Sequence, residues 1–340
     1  MTYHEEEKIR LNKKLQEKLQ NLPMFCNQYF VGMQYKKAPR TRLSYSIDLL
    51  SFFEYLKQYD LQYKEKEITD FKIEILNNIT AMDIENYLSY IKCYVKNNKV
   101  RTNDNSAVKR KLSTLRSFYR YYYIRQLIDK NPTLQVEMPG IEEKKIIRLE
   151  TNEMAQLIDI IDCKDNIPFR ASLRTRNMAL IMLLLGTGIR VSECVGLDLN
   201  DTDFNNNCIK VIRKGGDEDI VYFGDEVRVA MLNYYNERIV KGTQEGHQQA
   251  LFLSEQRRRL CVRSIQKMVK KYAHEIVPLK KITPHKLRSS YGTALYQATK
   301  DIYIVSTVLG HKDVSTTRKH YAEILEENKM AVRNSVKLRR

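Results

Sequence analysis

The sequence predicts a mainly α protein of two domains, with a small three-stranded antiparallel sheet in the C-terminal one. Three observations lead there. A chain of 340 residues with 43% hydrophobic residues is too long for one ordinary core and apolar enough to fill two. Apolar residues recur at helical spacing over most of its length. Only between 197 and 223 does the pattern break into short strand-like runs separated by turn-formers.

Taken in order, residues 5–22 are helix-forming and highly charged, and 23–33 form an apolar stretch. A helix begins near Thr41, with Leu43, Ile47, Leu50, Phe53 and Leu56 on one stripe. Another covers 82–97, with Met82, Ile84, Tyr87, Leu88 and Ile91. A long one over 106–127 carries Leu112, Leu115, Phe118, Tyr119 and Tyr122, interleaved with Lys109, Arg110, Lys111, Arg116, Arg120 and Arg125. Those cations suit either a solvated face or a face turned to nucleic acid. Periodicity is lost over 129–148, which holds Pro132, Pro139 and Gly140 and reads as a linker. The expected division is a helical domain at 1–135, a linker at 136–150, a second domain at 151–323 and a tail at 324–340. That second domain opens on a capping signal, Thr151-Asn-Glu153, before Met154, Leu157 and Ile158. An apolar helix at 178–185 follows. Strands are expected at 197–200, 208–213 and 219–223, and helices again from Glu226 onward. No internal repeat or low-complexity segment is present.

The charge balance narrows the partner. Lys and Arg number 58 against 41 Asp and Glu, a net +17, and the excess is spread along the chain. Such a surface favours a polyanion. No apolar run reaches the roughly 18 residues a membrane span needs. The start, Met1-Thr-Tyr-His-Glu-Glu-Glu-Lys, is charged and does not read as a signal peptide. Cys26, Cys93, Cys163, Cys194, Cys208 and Cys261 form no CxxC pair, so reduced thiols in a cytosolic protein are expected, with no zinc site.

The chemistry-bearing residues cluster late in the chain. Gly186-Thr-Gly-Ile-Arg190-Val-Ser-Glu193 sets a guanidinium after a glycine turn, where backbone can approach a bound group. Arg presents a fork of donors that matches phosphate oxygens. Glu193 lies one helical turn on, as a structural ion pair or as the group that orients Arg190. Thr283-Pro-His285-Lys-Leu-Arg288 sets His285 and Arg288 three apart on one face of a helix begun by proline. They can meet one phosphate, Arg288 as a clamp and His285 as donor or general base. Leu309-Gly-His311 and Thr316-Thr317-Arg-Lys-His320-Tyr321 complete the series. Tyr321 is one of 22 tyrosines, so composition alone does not single it out.

In this order and at these spacings the residues resemble the tyrosine recombinase family, the phage integrases and Xer-like site-specific recombinases. The resemblance spans most of the chain and implies a two-domain clamp, a helical SAM-like core-binding domain followed by an integrase-type catalytic domain. It implies that Arg190, His285, Arg288 and His311 hold the scissile phosphate, that Tyr321 attacks it, and that Lys214, on the turn Arg213-Lys-Gly-Gly216, protonates the departing 5′ oxygen. Arg213 is the neighbouring competitor, with a pKa that makes it a poor proton donor. His320 is read as a bystander, because adjacent residues on a helix point apart. No metal or nucleotide cofactor is implied. Double-stranded DNA with inverted-repeat core sites is the implied partner, with Lys109, Arg110, Lys111, Arg116, Arg120, Arg40, Arg42 and Arg263 as expected contacts. The protein would be a monomer when free and a homotetramer on synapsed DNA, its tail docking on a neighbour, in a bacterial cytoplasm and at the nucleoid. A mobile element or replicon is the implied setting. Two departures stand out: Ser289-Ser290 where the family often has His-Thr, and Asp217 where a second basic residue is common. The alternatives are a type IB topoisomerase-like enzyme and a catalytically idle DNA-binding paralogue.

Overall fold

The computed structural model describes residues 2–140, 146–164, 171–213, 215–310 and 314. The chain divides into two compact units, Met1–Lys144 and Lys145–Arg340. Among the described residues no helix is long and apolar enough to cross a membrane.

The first unit holds helices α1 (Tyr3–Leu19), α2 (Cys26–Gly32), α3 (Pro39–Tyr59), the single turn α4 (Ile75–Asn78), α5 (Ala81–Lys92) and α6 (Asn105–Ile124). Their starts follow capping chemistry. Thr2 with Glu5, and Thr80 with Asp83, form capping boxes, and Asp104 accepts from the Ala107 N–H. Around Phe118 of α6 the core is aromatic: the rings of Tyr29 and Tyr122 each lie 5.1 Å from it, edge to face. The α6 stripe Leu112, Leu115, Phe118, Tyr119 and Tyr122 is buried throughout. Beyond α6, Val136 is buried with the same core, and its carbonyl accepts from the Arg116 guanidinium at 2.5 Å.

Three expectations are corrected here. On α3, Phe53 and Leu56 are buried, but Leu49 and Phe52 complete the face and Ile47 is 48% exposed. Helix α5 ends at Lys92, and Met82 at its start is exposed. Residues 93–97, expected within that helix, instead open an antiparallel hairpin of β1 (Cys93–Lys96) and β2 (Lys99–Thr102), which pairs Val95 with Val100. Asn97 and Asn98 between them both take positive φ, the requirement of a two-residue turn matched to strand twist.

Lys111 is buried as well. Its ammonium lies 3.3 Å from Asp48, a carboxylate on α3 that is 2% exposed and also accepts from Arg110 and, at 3.0 Å, from Thr114. Burial lowers the Lys111 pKa, and Asp48 opposes that shift. Lys111 therefore faces Asp48 inside the unit, away from any surface a duplex can reach.

The second unit is built around α8 (Ala171–Thr187), which packs against α7 (Thr151–Lys164), α10 (Asp225–Val240) and α12 (Pro284–Thr299). Ala179, Leu180, Ile181, Leu183 and Leu184 are all buried, while Met178, Met182 and Gly186 form a half-buried stripe between them. After α8 come α9 (Val191–Gly196) and a three-stranded antiparallel sheet of β3 (Thr202–Asp203), β4 (Cys208–Ile212) and β5 (Glu218–Tyr222), in that order. Its register pairs Ile209 with Val221 and Ile212 with Glu218. The expected strand at 197–200 is not part of this sheet. Leu197 and Leu199 bond instead to Leu251 and Gln249, at 3.0 and 2.8 Å. Helices α11 (Val262–Ile276), α12 and α13 (Ile302–Leu309) follow among the described residues.

The Asp48 group gives a stability test. Asp48→Asn leaves the Lys111 ammonium buried without its counter-charge. It should cost about 3–5 kcal/mol, seen as an earlier urea transition in the full chain. A loss below about 1 kcal/mol would show that the buried pair is not a structural requirement.

Candidate active site

Helix α8 ends by delivering Arg190. Gly188 has φ +62, and a Cβ there would come within 2.4 Å of Tyr291 and 2.9 Å of Leu309, so the turn requires glycine. Arg190 then stands immediately before α9. Glu193, 3% exposed, closes on it twice: Oε2 accepts from the Arg190 backbone N–H and Oε1 from its guanidinium, both at 2.7 Å. The Arg190 side chain remains about one-third exposed, so its remaining donors can reach a ligand.

Arg288 comes from the second turn of α12, whose first turn holds Pro284 and His285. It is 4% exposed and donates to the Gly188 carbonyl at 2.7 Å and to the Leu309 carbonyl. His285 keeps an exposed edge. Partial desolvation, and then the Lys286, Arg288 and Arg190 cations, lower its pKa below the usual 6.5, so the imidazole is neutral at pH 7.

The meeting point is the C-terminus of α13. Three successive carbonyls there, on Val308, Leu309 and Gly310, accept from Arg213 at 3.3 Å, from Arg288, and from Arg190 at 3.4 Å. Helix ends leave such carbonyls unpaired and carry partial negative charge, so guanidiniums suit them. Gly310 turns the chain with φ +61, and a Cβ on it would lie 2.9 Å from Arg213 Nε. His311 follows directly. His311, Tyr321, Lys214 and the tail at 324–340 lie outside the described residues. On either side of position 214, the turn is closed by Arg213 N–H to Asp217 O at 2.8 Å and Gly216 N–H to Arg213 O at 3.1 Å.

Arg213 is the residue whose role sequence reasoning missed. Adjacent to Lys214, it reads as a competing proton donor. It is buried, and bonds to Glu193 at 3.1 Å and Asp219 at 2.8 Å. The alternation of β4 was the available signal, because Ile209, Val211 and Arg213 share the inward face. Ser290, in the departure from His-Thr, accepts from the Leu149 N–H at 2.8 Å and so anchors the start of the unit.

The expected DNA contacts divide by exposure. Arg120 and Arg263 are exposed, and Lys109 is half-buried. Arg40 is exposed and pairs with Glu7 at 2.9 Å, while Arg42 is half-buried and donates to Asn12 at 3.0 Å, so both bind α1. Arg110 keeps about half its side chain exposed while it pairs with Asp48. Lys111 is buried, and Arg116 is turned to the Val136 carbonyl.

Residues 147–328 match the phage integrase family, and residues 26–126 match the phage integrase N-terminal SAM-like domain. Tyrosine recombinase XerC of Caldanaerobacter subterraneus subsp. tengcongensis is 33% identical over 291 residues, 83% of this chain and 77% of that protein. Tyrosine recombinase XerS of Streptococcus agalactiae is 29% identical over 95% of this chain and 98% of its own length. In fold, the chain is similar to the XerH site-specific recombinase crystallised with a difH substrate in a pre-cleavage complex. The TM-score is 0.63 at 22% identity, over 86% of this chain and 80% of that one. With the family match covering more than half of its residues, and with a relative at this identity, the chain belongs to the phage integrase family of tyrosine site-specific recombinases.

Proposed function

We propose that this recombinase cleaves and rejoins duplex DNA through a 3′-phosphotyrosyl bond formed by Tyr321. The observation that carries the reading is the convergence of Arg190 and Arg288 on the Gly310 and Leu309 carbonyls, beside His311 in the chain, with His285 within electrostatic reach of both. A phosphate entering there meets two guanidiniums and the imidazoles. Those donors stabilise the charge of the pentacoordinate state. The Tyr321 oxygen attacks phosphorus and its proton passes to His285. The bond from phosphorus to the 5′ oxygen breaks, and Lys214 gives that oxygen a proton. The energy of the broken linkage stays in the phosphotyrosyl bond, so the 5′ hydroxyl of a partner strand reseals by the reverse steps.

DNA as partner is supported by the net +17 charge and by the DNA-bound state of the XerH neighbour. On the N-terminal unit the exposed Arg120, with Lys109 and Arg110, remains suited to phosphate contact. The relatives named above are recombinases, which favours strand exchange over topoisomerase-like relaxation. Synapsis of two inverted-repeat core sites by four copies, and a mobile-element or replicon setting in a bacterial cytoplasm, complete the proposal.

A nicked site that lets the leaving strand diffuse away should accumulate protein joined to a 3′ phosphate at Tyr321, and Tyr321→Phe should form no adduct. Mapping of the adduct to another tyrosine would reject the nucleophile.

Arg190→Ala and Arg288→Ala should each slow cleavage on the order of 10²-fold or more. Lys214→Ala should regain its rate on a 5′-bridging phosphorothiolate, because sulfur leaves without a proton. Rescue of the arginine variants and not of Lys214→Ala would exchange the roles.

The lowered His285 pKa sets a pH dependence. A general base acts when neutral, so kcat/KM should rise with pH through a pKa below 6.5 and level off above it. That limb should vanish in His285→Gln. A limb centred above 6.5, or one that survives the substitution, would remove His285 from the base role.

A further inference from the structure

We infer that Arg213 is a positioning residue for cleavage, holding the Glu193 carboxylate and the end of α13 so that Arg190 meets the scissile phosphate with its charge uncancelled. The inference rests on the reading that Arg190 binds that phosphate. Arg213 is 9% exposed and its guanidinium is committed within the protein. Nε donates to Asp219 at 2.8 Å, one terminal nitrogen to Glu193 at 3.1 Å, and the other to the Val308 carbonyl at 3.3 Å. Gly310 lies against the guanidinium, leaving no room there for a Cβ. These contacts tie β4 to α9 and to the chain just before His311.

Electrostatics give the arrangement its consequence. Glu193 is 3% exposed and shared, Oε1 facing Arg190 and Oε2 facing Arg213. Alone with Glu193, Arg190 would form a neutral pair, whose field on a phosphate is that of a dipole. A second guanidinium on the same carboxylate offsets the Glu193 charge and leaves Arg190 acting as a cation, in a setting of low dielectric where charge counts most. Asp219, the remaining counter-charge, is 42% exposed and screened by solvent. A lysine at 213 would not serve in the same way, because its point charge cannot fork to three acceptors in different directions.

The test compares Arg213→Met, Arg213→Lys and Arg190→Ala on a nicked site with either a phosphodiester or a methylphosphonate at the scissile position. Binding of each variant to the same duplex is measured by gel shift. The methyl group makes the linkage neutral, so cleavage no longer needs the Arg190 charge. Misplacement of a catalytic group by about 1 Å can cost on the order of 10²-fold, and a loss of that size is expected for Arg213→Met on the phosphodiester. Most of that loss should disappear on the methylphosphonate, as it should for Arg190→Ala. Arg213→Lys should show the same pattern with a smaller loss. If Arg190→Ala recovers but a DNA-binding Arg213 variant stays slow on both substrates, or if Arg213→Met is unimpaired, the inference is overturned. Loss of DNA binding by both Arg213 variants would also overturn it, placing Arg213 in the fold rather than the site. Absence of recovery in Arg190→Ala would instead remove the Arg190 assignment on which the inference stands.

Discussion

The second unit is organised by the need to keep concentrated positive charge in a nearly dry place. Arg288 and Arg213 are almost fully buried and Glu193 is more buried still. Guanidiniums persist in such a setting only with acceptors for their donors. Arg288 takes main-chain acceptors, the Gly188 carbonyl and the C-terminus of α13, while Arg213 takes one such carbonyl and the carboxylates of Glu193 and Asp219. Gly188 and Gly310, both with positive φ, serve this arrangement. Gly188 aims a carbonyl at Arg288 where a side chain would strike Tyr291, and Gly310 ends α13 against the face of Arg213. A cation held by carbonyl dipoles, as Arg288 is, keeps its full charge, whereas one held by a carboxylate is neutralised unless a second cation shares that carboxylate, as Arg213 shares Glu193. The architecture thus stores charge for an anionic substrate.

The first unit treats its cations differently. Arg110 and Lys111 share Asp48, Arg40 pairs with Glu7, and Arg116 caps the Val136 carbonyl. Several of the positive residues that give α6 its basic look are therefore structural, joining α6 to α3 and to the chain that follows. Net charge overstates the number of cations available to a polyanion when so many are paired at home.

Much of this was legible in the sequence wherever the determining contacts are short in range. The stripe of α6 and the helix starts at Thr151 and Pro284 needed only local sequence, though the bond that closes the α7 start runs from the Glu150 N–H to Glu153 rather than to Thr151. The motifs around Arg190 and Arg288 each depend on a local turn or helix start, while their meeting was implied by the resemblance to the recombinase family. What escaped reading depends on partners far away in the chain. Lys111 is buried because Asp48 lies 63 positions earlier. Leu197 and Leu199 pair with residues near 250 rather than with the adjacent strands. Arg213 takes partners from three different segments. The β1–β2 hairpin hid for another reason: Tyr94 and Val95 continue the apolar rhythm of α5, and the two asparagines at the turn were the stronger signal.

The burial of α8 bears on how the chain is made. Residues 171–187 are synthesised well before α10 and α12, which cover them. At about 5–20 residues per second, α8 waits on the order of 10 s before the last residue of α12 has been added. During that interval the apolar part of α8, 178–186, stands without the helices that cover it in the folded unit. Translation speed between 188 and 299 therefore sets how long that surface stays uncovered.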